Sequence, residues 1–95
     1  MAVGDVFSGL SSIAAAAYLD IQPAVGVEVV IHNIYHNGDI QIEFYDGTNS
    51  LIFDTDAGTG IYAKYAFHVT NTMRIRVKNT AATAQLIGFC GVQTK

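Results

Sequence analysis

The sequence has no tryptophan, one proline, one cysteine and no long hydrophobic run. No stretch approaches the eighteen or so apolar residues of a membrane-spanning helix, and no basic region precedes a long apolar core near the N-terminus. We therefore expect neither membrane insertion nor secretion. A single cysteine excludes an internal disulfide and a thiolate metal cluster, which fits a reducing cytoplasm. The apolar neighbours of Cys90 predict a buried structural thiol.

Charge is also scarce. Charged residues make up 14% of the chain, against roughly 25% in typical soluble domains. Eight acidic and five basic residues leave a net charge of -3, which disfavours nucleic acid and anionic membranes as partners. Three basic residues share one expected strand face, fewer than the six or so phosphate contacts usual in a nucleic-acid interface; they are Arg74, Arg76 and Lys78. With so little solubilising surface, we expect a homo-oligomer or a place on a larger assembly.

The 95 residues suit a single core. We divide the chain into an N-terminal arm, residues 1–12, and a β-sandwich domain, residues 13–95. Gly4 and Gly9 argue against a stable helix in the arm. Its apolar residues recur at spacings of three and four, and we expect the arm to become ordered against a neighbouring molecule. The proposed contact residues are Val3, Val6, Phe7 and Leu10.

The remaining chain alternates apolar and polar residues between turn-forming clusters, a pattern typical of β-strands. About seven strands at intervals of roughly ten residues predict an all-β fold, a single antiparallel β-sandwich or jelly-roll-like barrel. Gly88 and Gly91 mark a bulge or a close backbone approach in the last strand. The expected strands cover residues 14–22, 27–36, 39–45, 51–54, 61–69, 73–78 and 84–92.

Two turn signals predict a continuous antiparallel meander in the middle of the chain. Asn37-Gly38 is the dipeptide best suited to a type I′ hairpin, in which both residues have positive φ. The cluster from Asp46 to Asn49 supplies the next turn. The strand between them should turn its apolar side chains inward and its polar ones to solvent. These two sets are Ile40, Ile42 and Phe44, and Gln41 and Glu43.

The histidines and aspartates do not predict a metal site. On a strand, His32 and His36 would share a face but lie about 13 Å apart at roughly 3.3 Å per residue, too far to chelate one ion directly. His68 would approach them only through cross-strand pairing. The residues from Asp54 to Gly58 resemble a calcium loop loosely, but the third ligand and the terminal glutamate are missing. Asx turns are the better interpretation of these aspartates.

The sequence contains no recognisable catalytic group, and we expect neither enzymatic activity nor a cofactor. Glu28 and Glu43 would face each other only across paired strands, and no cleft is evident around them. No serine lies in a nucleophile elbow, and the glycine spacing matches no phosphate loop. Five tyrosines allow a stacking platform for sugars, although packing explains them as well. They are Tyr18, Tyr35, Tyr45, Tyr62 and Tyr65.

Several segments resemble small virion-associated proteins of tailed bacteriophages. The resemblance spans about residues 13–95 and rests on residues 18–23, 31–36, 44–47, 67–71, 74–79 and 88–95. One departure is that relatives of this kind tend to have a tryptophan just after the Pro-x-x-Gly turn, whereas this chain has Val27-Glu28-Val29 there.

This resemblance implies a structural particle protein, a capsid decoration or cement protein that assembles as a homo-oligomer such as a trimer. It would bind the major capsid protein on the virion surface after synthesis in the host cytoplasm. The arm residues would then contact the capsid or a neighbouring subunit. The alternative is a tail or spike-tip module that binds host glycans through its tyrosines and the segment from Asp54 to Gly60.

Overall fold

The computed structural model describes residues 2–95, which form two antiparallel sheets packed together as a β-sandwich. Nine strands alternate with short connections, and no helix is present among these residues. The strands are β1 (Val6–Ile13), β2 (Tyr18–Ile21), β3 (Val29–Asn37), β4 (Ile40–Tyr45), β5 (Ser50–Asp56), β6 (Thr59–Tyr62), β7 (Phe67–Val69), β8 (Arg74–Asn79) and β9 (Gln85–Gln93). Within this part of the chain, no helix is available that is long and apolar enough to cross a membrane.

Strands of the two sheets alternate along the sequence. The first sheet has five strands in the order β1-β9-β3-β6, with β7 also paired to β3. The second sheet has four strands in the order β2-β8-β4-β5. Most connections therefore cross from one sheet to the other, and β4 and β5 form the one hairpin between consecutive strands in the described residues. The predicted all-β sandwich is confirmed.

The core lies between the sheets and is built mainly from β-branched residues on alternate strand positions. Burying one such side chain stabilises the fold by about 1.5–3 kcal/mol. The buried apolar residues are Ile13, Ile21, Val29, Ile31, Ile34, Ile40, Ile42, Tyr62, Val69, Ile75, Val77 and Ile87. The alternation predicted for residues 73–78 holds for Ile75 and Val77, whereas Met73 remains 37% exposed at the end of the sheet.

One buried side chain connects the sheet crossings at one end of the sandwich. Asn79, at the end of β8, is fully buried, and its Nδ2 donates to the carbonyls of Ile13 and Thr83, both at 2.9 Å. Its Oδ1 accepts from Ala81 N at 2.9 Å and from Gln85 Nε2 at 2.7 Å. The β1–β2 and β8–β9 connections are thereby fixed to one another.

The predicted hairpin at Asn37-Gly38 is wrong. β3 and β4 lie in different sheets, and neither residue of the dipeptide has positive φ. Glycine is needed here for space, because a Cβ at Gly38 would lie 3.1 Å from Gln85 Nε2 and 3.3 Å from Ala81 Cβ. The chain uses this position to cross between sheets under the β8–β9 connection, so the predicted meander is interrupted.

Other strand predictions differ in extent. The expected strand over residues 61–69 is two strands, β6 and β7, which pair with different parts of β3. The hairpin at Asp46–Asn49 is confirmed, with Gly47 at φ 97°. The close approach predicted at Gly91 is also confirmed, since a Cβ there would collide with the backbone of Val30 and Ile31. The strand expected at 14–22 begins only at Tyr18, after a tight turn in which Ala16 has φ 65°.

The segment predicted as an N-terminal arm is largely part of the first sheet. Residues 6–13 form β1, which pairs with β9 in continuous register from Val6 opposite Val92 to Ile13 opposite Gln85. Gly9 permits this pairing, because a Cβ at that position would lie 3.0 Å from the ring of Phe89. The sandwich therefore begins before residue 13, and within the described part of the predicted arm only residues 2–5 lie outside its strands.

Replacing Asn79 with alanine should destabilise the protein strongly. Asn79→Ala removes the side-chain partner of the Ile13 and Thr83 carbonyls and of the Ala81 N–H, and it leaves Gln85 Nε2 with Asp39 O alone, so we expect a loss of about 3 kcal/mol or more. Asn71→Ala is the matched control, because Asn71 Nδ2 donates a single bond, to Pro23 O at 3.0 Å, and its loss should cost about 1 kcal/mol. Urea unfolding at equal protein concentration measures both. Equal losses in the two variants would contradict the role given to Asn79.

Candidate functional site

The two sheets differ sharply in charge. No strand of the first sheet contains Asp, Glu, Lys or Arg, whereas every strand of the second sheet contains at least one of them. Because side chains alternate between the two sides of a strand, the first sheet presents an outer surface without these charges. We call this surface the uncharged face. Its members are Val6, Ser8, Leu10, Ser12, Val30, Asn33, Tyr35, Ile61, His68, Leu86, Cys90 and Val92.

Large apolar side chains on the uncharged face are open to solvent. Val6 and Leu10 on β1 are 64% and 66% exposed, and Ile61 at the opposite side of the sheet is 57% exposed. Leu86 and Tyr35 lie on the strands between them and are also exposed. Single exposed apolar residues are normal, but a set that spans a whole sheet face is typical of an interaction surface.

The sequence-predicted contact residues divide between this face and the core. Val6 and Leu10 point outward as members of the uncharged face, and Val3 is exposed in the turn before β1. Phe7 points the other way and packs on Phe89, with ring centroids 5.3 Å apart. Strand alternation separates Phe7 from its neighbours, so it stabilises the sandwich and is not positioned for contact with another molecule.

Cys90 also lies on the uncharged face. It is half-buried, opposite Ser8 of β1 and Asn33 of β3. The prediction of a buried thiol is therefore too strong. Gly91, the next residue, and Gly88, two residues before Cys90, both lie close to neighbouring backbone.

The outer face of the second sheet is charged and internally paired. The Arg76 guanidinium carbon lies 3.8 Å from the ring centre of Tyr18 and 4.0 Å from that of Tyr45. Its Nη2 donates to Glu43 Oε1 at 3.3 Å. Arginine stacked between aromatic rings and bonded to a carboxylate is held in one orientation. We call Tyr18, Glu43, Tyr45 and Arg76 the stacked cluster.

Glu43 was predicted to face solvent, but it is only 2% exposed. It does lie on the outer side of β4, opposite Arg76, and is covered there by its partners. Burial alone would raise the pKa of this carboxyl, but hydrogen bonds from Ser50 and Arg76, with the charge of Arg76, lower the pKa below its usual value of 4.5. Glu43 is therefore a structural anion.

A second polar group connects the sheets along the β5–β6 edge. A bulge in β5 turns Asp54 and Asp56 inward, opposite Ile42 and Ile40. Tyr62 donates its hydroxyl to Asp54 Oδ2 at 2.7 Å, and Lys64 Nζ lies 3.3 Å from the same oxygen. This bond from Tyr62 lowers the pKa of Asp54, while burial and the charge of Asp54 raise the pKa of Tyr62 well above its usual range.

The histidines lie apart. A bulge between Ile31 and Asn33 exposes His32 and turns His36 into the interior, so the prediction that they share a face is wrong. His36 Nδ1 lies 2.9 Å from Gly38 O and Nε2 lies 2.9 Å from Asp56 Oδ2. Within residues 2–95, no three His, Cys, Asp or Glu side chains converge to hold a metal ion.

The other candidate groups are also separated. Glu28 lies just before β3 with its Oε2 3.9 Å from Lys95 Nζ, whereas Glu43 belongs to the other sheet, so no paired strands bring the two carboxylates together. Glu28 and Lys95 border an open depression of about 320 Å³ whose other lining residues are 25–27 and 70–72. Lys95 is the one other titratable side chain among these lining residues, and it is paired with Glu28.

The five tyrosines do not form one platform. Tyr18 and Tyr45 stack on Arg76, and Tyr62 is 2% exposed beneath Phe67. Only Tyr35 and Tyr65 present exposed rings without such a partner, one on the uncharged face and one on the loop between β6 and β7. The stacked cluster and the uncharged face were not assigned from sequence, because both depend on which strands share a sheet.

Comparisons with known proteins provide no family assignment. No protein-family model matches the chain, and no curated protein matches it significantly.

Neutralising Glu43 should lower stability in a pH-dependent way. Because its pKa is lowered on folding, the carboxylate stabilises the protein fully above pH 4.5 and loses this effect as the pH falls through the lower pKa of the folded state. Glu43→Gln should therefore cost about 2 kcal/mol near pH 7 and progressively less in acid. Urea unfolding at several pH values measures this difference. Glu28→Gln is the matched control and should change little; a deficit in Glu43→Gln that stays constant into acid would contradict the interpretation.

Proposed function

We propose that the protein is a non-enzymatic structural component of a phage particle, a decoration or cement protein that binds the outer capsid lattice as a homo-oligomer. The observation that supports it most directly is the uncharged face, an outer sheet surface with exposed Val6, Leu10 and Leu86 and no Asp, Glu, Lys or Arg on its strands. In this proposal the major capsid protein is the partner, and the assembled protein is located on the virion surface.

The uncharged face suits a permanent contact. Removing exposed apolar surface from water stabilises a complex by roughly 25 cal/mol per Å² before the costs of association are counted. Charged groups buried at such a contact would oppose it unless they were paired. The first sheet avoids that cost along its entire width, from β1 to β6.

The connections of the sandwich also suit a protein that must keep its shape under mechanical force. At most connections the chain passes from one sheet to the other. Buried polar side chains link these connections at one end of the sandwich. Such cross-connections resist separation of the sheets, because each strand is held both by its ladder and by the neighbouring layer. A protein that reinforces a lattice must keep its contact surface in one shape.

Addition to undecorated capsids tests this function. Purified protein should bind saturably to capsids that lack it and should raise their resistance to heat. Leu10→Glu places a charge on the uncharged face and should weaken attachment at least tenfold. The matched control is Leu51→Glu on β5, since Leu51 is 63% exposed but belongs to the other sheet. Electron microscopy and sedimentation of the capsids measure attachment, and absence of wild-type binding would contradict the proposal.

A second candidate function is binding of host glycans by a tail or spike-tip module. The observation that favours it is Tyr65, which is 59% exposed beside Lys64 and close to Phe67. An exposed aromatic ring next to hydrogen-bonding side chains is a common contact for a sugar ring. The buried Tyr62 is not available for this role, and Asp54 already accepts a hydrogen bond from it.

A glycan array distinguishes this candidate from the first. If the module binds glycans, Tyr65→Ala should reduce the signal at least tenfold, because the exposed ring supplies the stacking surface. Tyr18→Ala is the control, since the face of Tyr18 is occupied by Arg76. No signal from the wild-type protein, or an equal loss in both variants, would count against glycan binding at Tyr65.

A further inference from the structure

We propose that the uncharged face is covered by the same face of a second copy of this chain, so that two copies pack sheet against sheet about a two-fold axis. This inference rests on the homo-oligomeric part of the proposed function and identifies its contact surface. The dimer is then the unit that attaches to the capsid, and Leu10→Glu weakens attachment because it dissociates the dimer. The argument rests on the distribution of charge between the two sheets, on the relief of the face and on its area.

The charged sheet is a poor partner for the uncharged face. Its outer surface presents Asp20, Arg74 and Lys78 beside the stacked cluster. Arg74 Nε lies 3.7 Å from Asp20 Oδ1, but an apolar sheet packed on that surface would still remove Asp20 and Lys78 from water without new partners, and such removal opposes the contact. A head-to-tail assembly that placed one face on the other would incur this cost at every contact.

Contact between two copies of the uncharged face avoids this mismatch. In a two-fold assembly the same patch is used on both subunits, so each apolar side chain meets a surface of its own kind. Three polar members of the face are short and neutral, and a hydroxyl or an amide can bond to its counterpart across the contact; these residues are Ser8, Ser12 and Asn33. The exposed imidazole of His68 lies at the edge of the face, opposite Val30.

The alternation of large and small side chains on the uncharged face suits packing against another sheet. Large exposed side chains, Leu10, Leu86 and Tyr35, alternate with the small side chains of Ser8 and Cys90. Sheets that pack at about 10 Å interdigitate such ridges and depressions. The same geometry builds the interior of the sandwich, where the opposite sides of these strands contact the second sheet.

The area is sufficient for a specific contact. With about 4.8 Å between strands and about 3.3 Å per residue, four strands of the length of β1 present roughly 500 Å² in projection. Two copies would together bury on the order of 1,000 Å², which reaches the lower limit for a specific interface. We therefore expect a dimer that dissociates on dilution within the micromolar range.

Sedimentation of the purified protein tests the inference without any particle. The wild-type chain should change from monomer to dimer between about 1 and 100 µM, a range that contacts of this size commonly occupy. Leu10→Glu should weaken self-association at least a hundredfold, because symmetry introduces the charge twice into each contact. Leu86→Glu, on the neighbouring strand, provides a second disruptive variant. Leu51→Glu should leave the dimer unchanged, and circular dichroism with thermal melting verifies the fold of each variant.

Cys90 provides an independent measurement, because it is the only cysteine and lies on the uncharged face. Its alkylation by a water-soluble thiol reagent should slow severalfold as the wild-type protein is concentrated. In Leu10→Glu the rate should not depend on protein concentration. A wild-type rate that is equally independent of concentration would show that the face stays open.

Three results would overturn the inference. The first is a wild-type protein that stays monomeric through the tested range. The second is a trimer, because a single two-fold contact produces a dimer. The third is a dimer that Leu51→Glu dissociates and Leu10→Glu does not. A monomer that still binds capsids through Leu10 would show that the capsid covers this face and would leave the proposed function intact. A dimer that does not bind capsids would contradict the function and not the contact.

Discussion

The fold depends on satisfying backbone groups at the points where the chain leaves one sheet for the other. At these crossings a strand ladder cannot supply partners, and a buried unpaired carbonyl or N–H is costly. Asn79 meets this requirement with one amide, which donates to Ile13 and Thr83 and accepts from Ala81 and Gln85. Its own backbone N–H donates to Ala17 O, and its carbonyl accepts from Ala16 N, both at 2.9 Å.

Gln85 extends this network to a third crossing. Its Nε2 also donates to Asp39 O at 2.8 Å, next to the glycine where the chain passes from β3 to β4. The β5–β6 crossing is attached to the same region, because Gly58 N donates to Asp39 Oδ1 at 2.8 Å. Four connections thus depend directly or indirectly on two side-chain amides. A shift of one connection would leave partners in the others unpaired, which fixes the relative position of the two sheets.

The sequence predicts local features well, but it predicts poorly which strands belong to which sheet. The alternation in β8 and the turn at Asp46 depend on neighbouring residues, and both were recognised. Asn37-Gly38 has a strong hairpin signal, but β3 and β4 pair in different sheets and Gly38 packs closely against Gln85. Local propensity is a weak prior where such long-range packing competes with it. The bulge in β5 is equally invisible in the pattern, although it determines that Asp54 faces inward.

The same limit explains why the uncharged face was only partly anticipated. Low overall charge predicts an uncovered apolar surface, and two of the four residues predicted as arm contacts, Val6 and Leu10, lie exposed on this face. The segregation of charge becomes visible only when β1, β3, β6, β7 and β9 are grouped, and in the chain these strands alternate with those of the other sheet. A composition averaged along the sequence conceals a difference that exists between layers.

This segregation has a physical consequence for assembly. On the second sheet, Glu43 and Arg76 neutralise one another and the rings of Tyr18 and Tyr45 cover the guanidinium, so the charges of the stacked cluster are paired within the chain. On the first sheet, the strands carry no Asp, Glu, Lys or Arg that would have to be desolvated. Covering the exposed apolar side chains with another molecule would therefore lower the free energy. The second sheet also exposes large apolar side chains on its edge strand β5, at Leu51, Ile52 and Phe53, but only the first sheet combines such side chains with strands that carry no Asp, Glu, Lys or Arg. Because the crossings fix both layers rigidly together, the charged layer then faces outward from any contact that the uncharged layer makes.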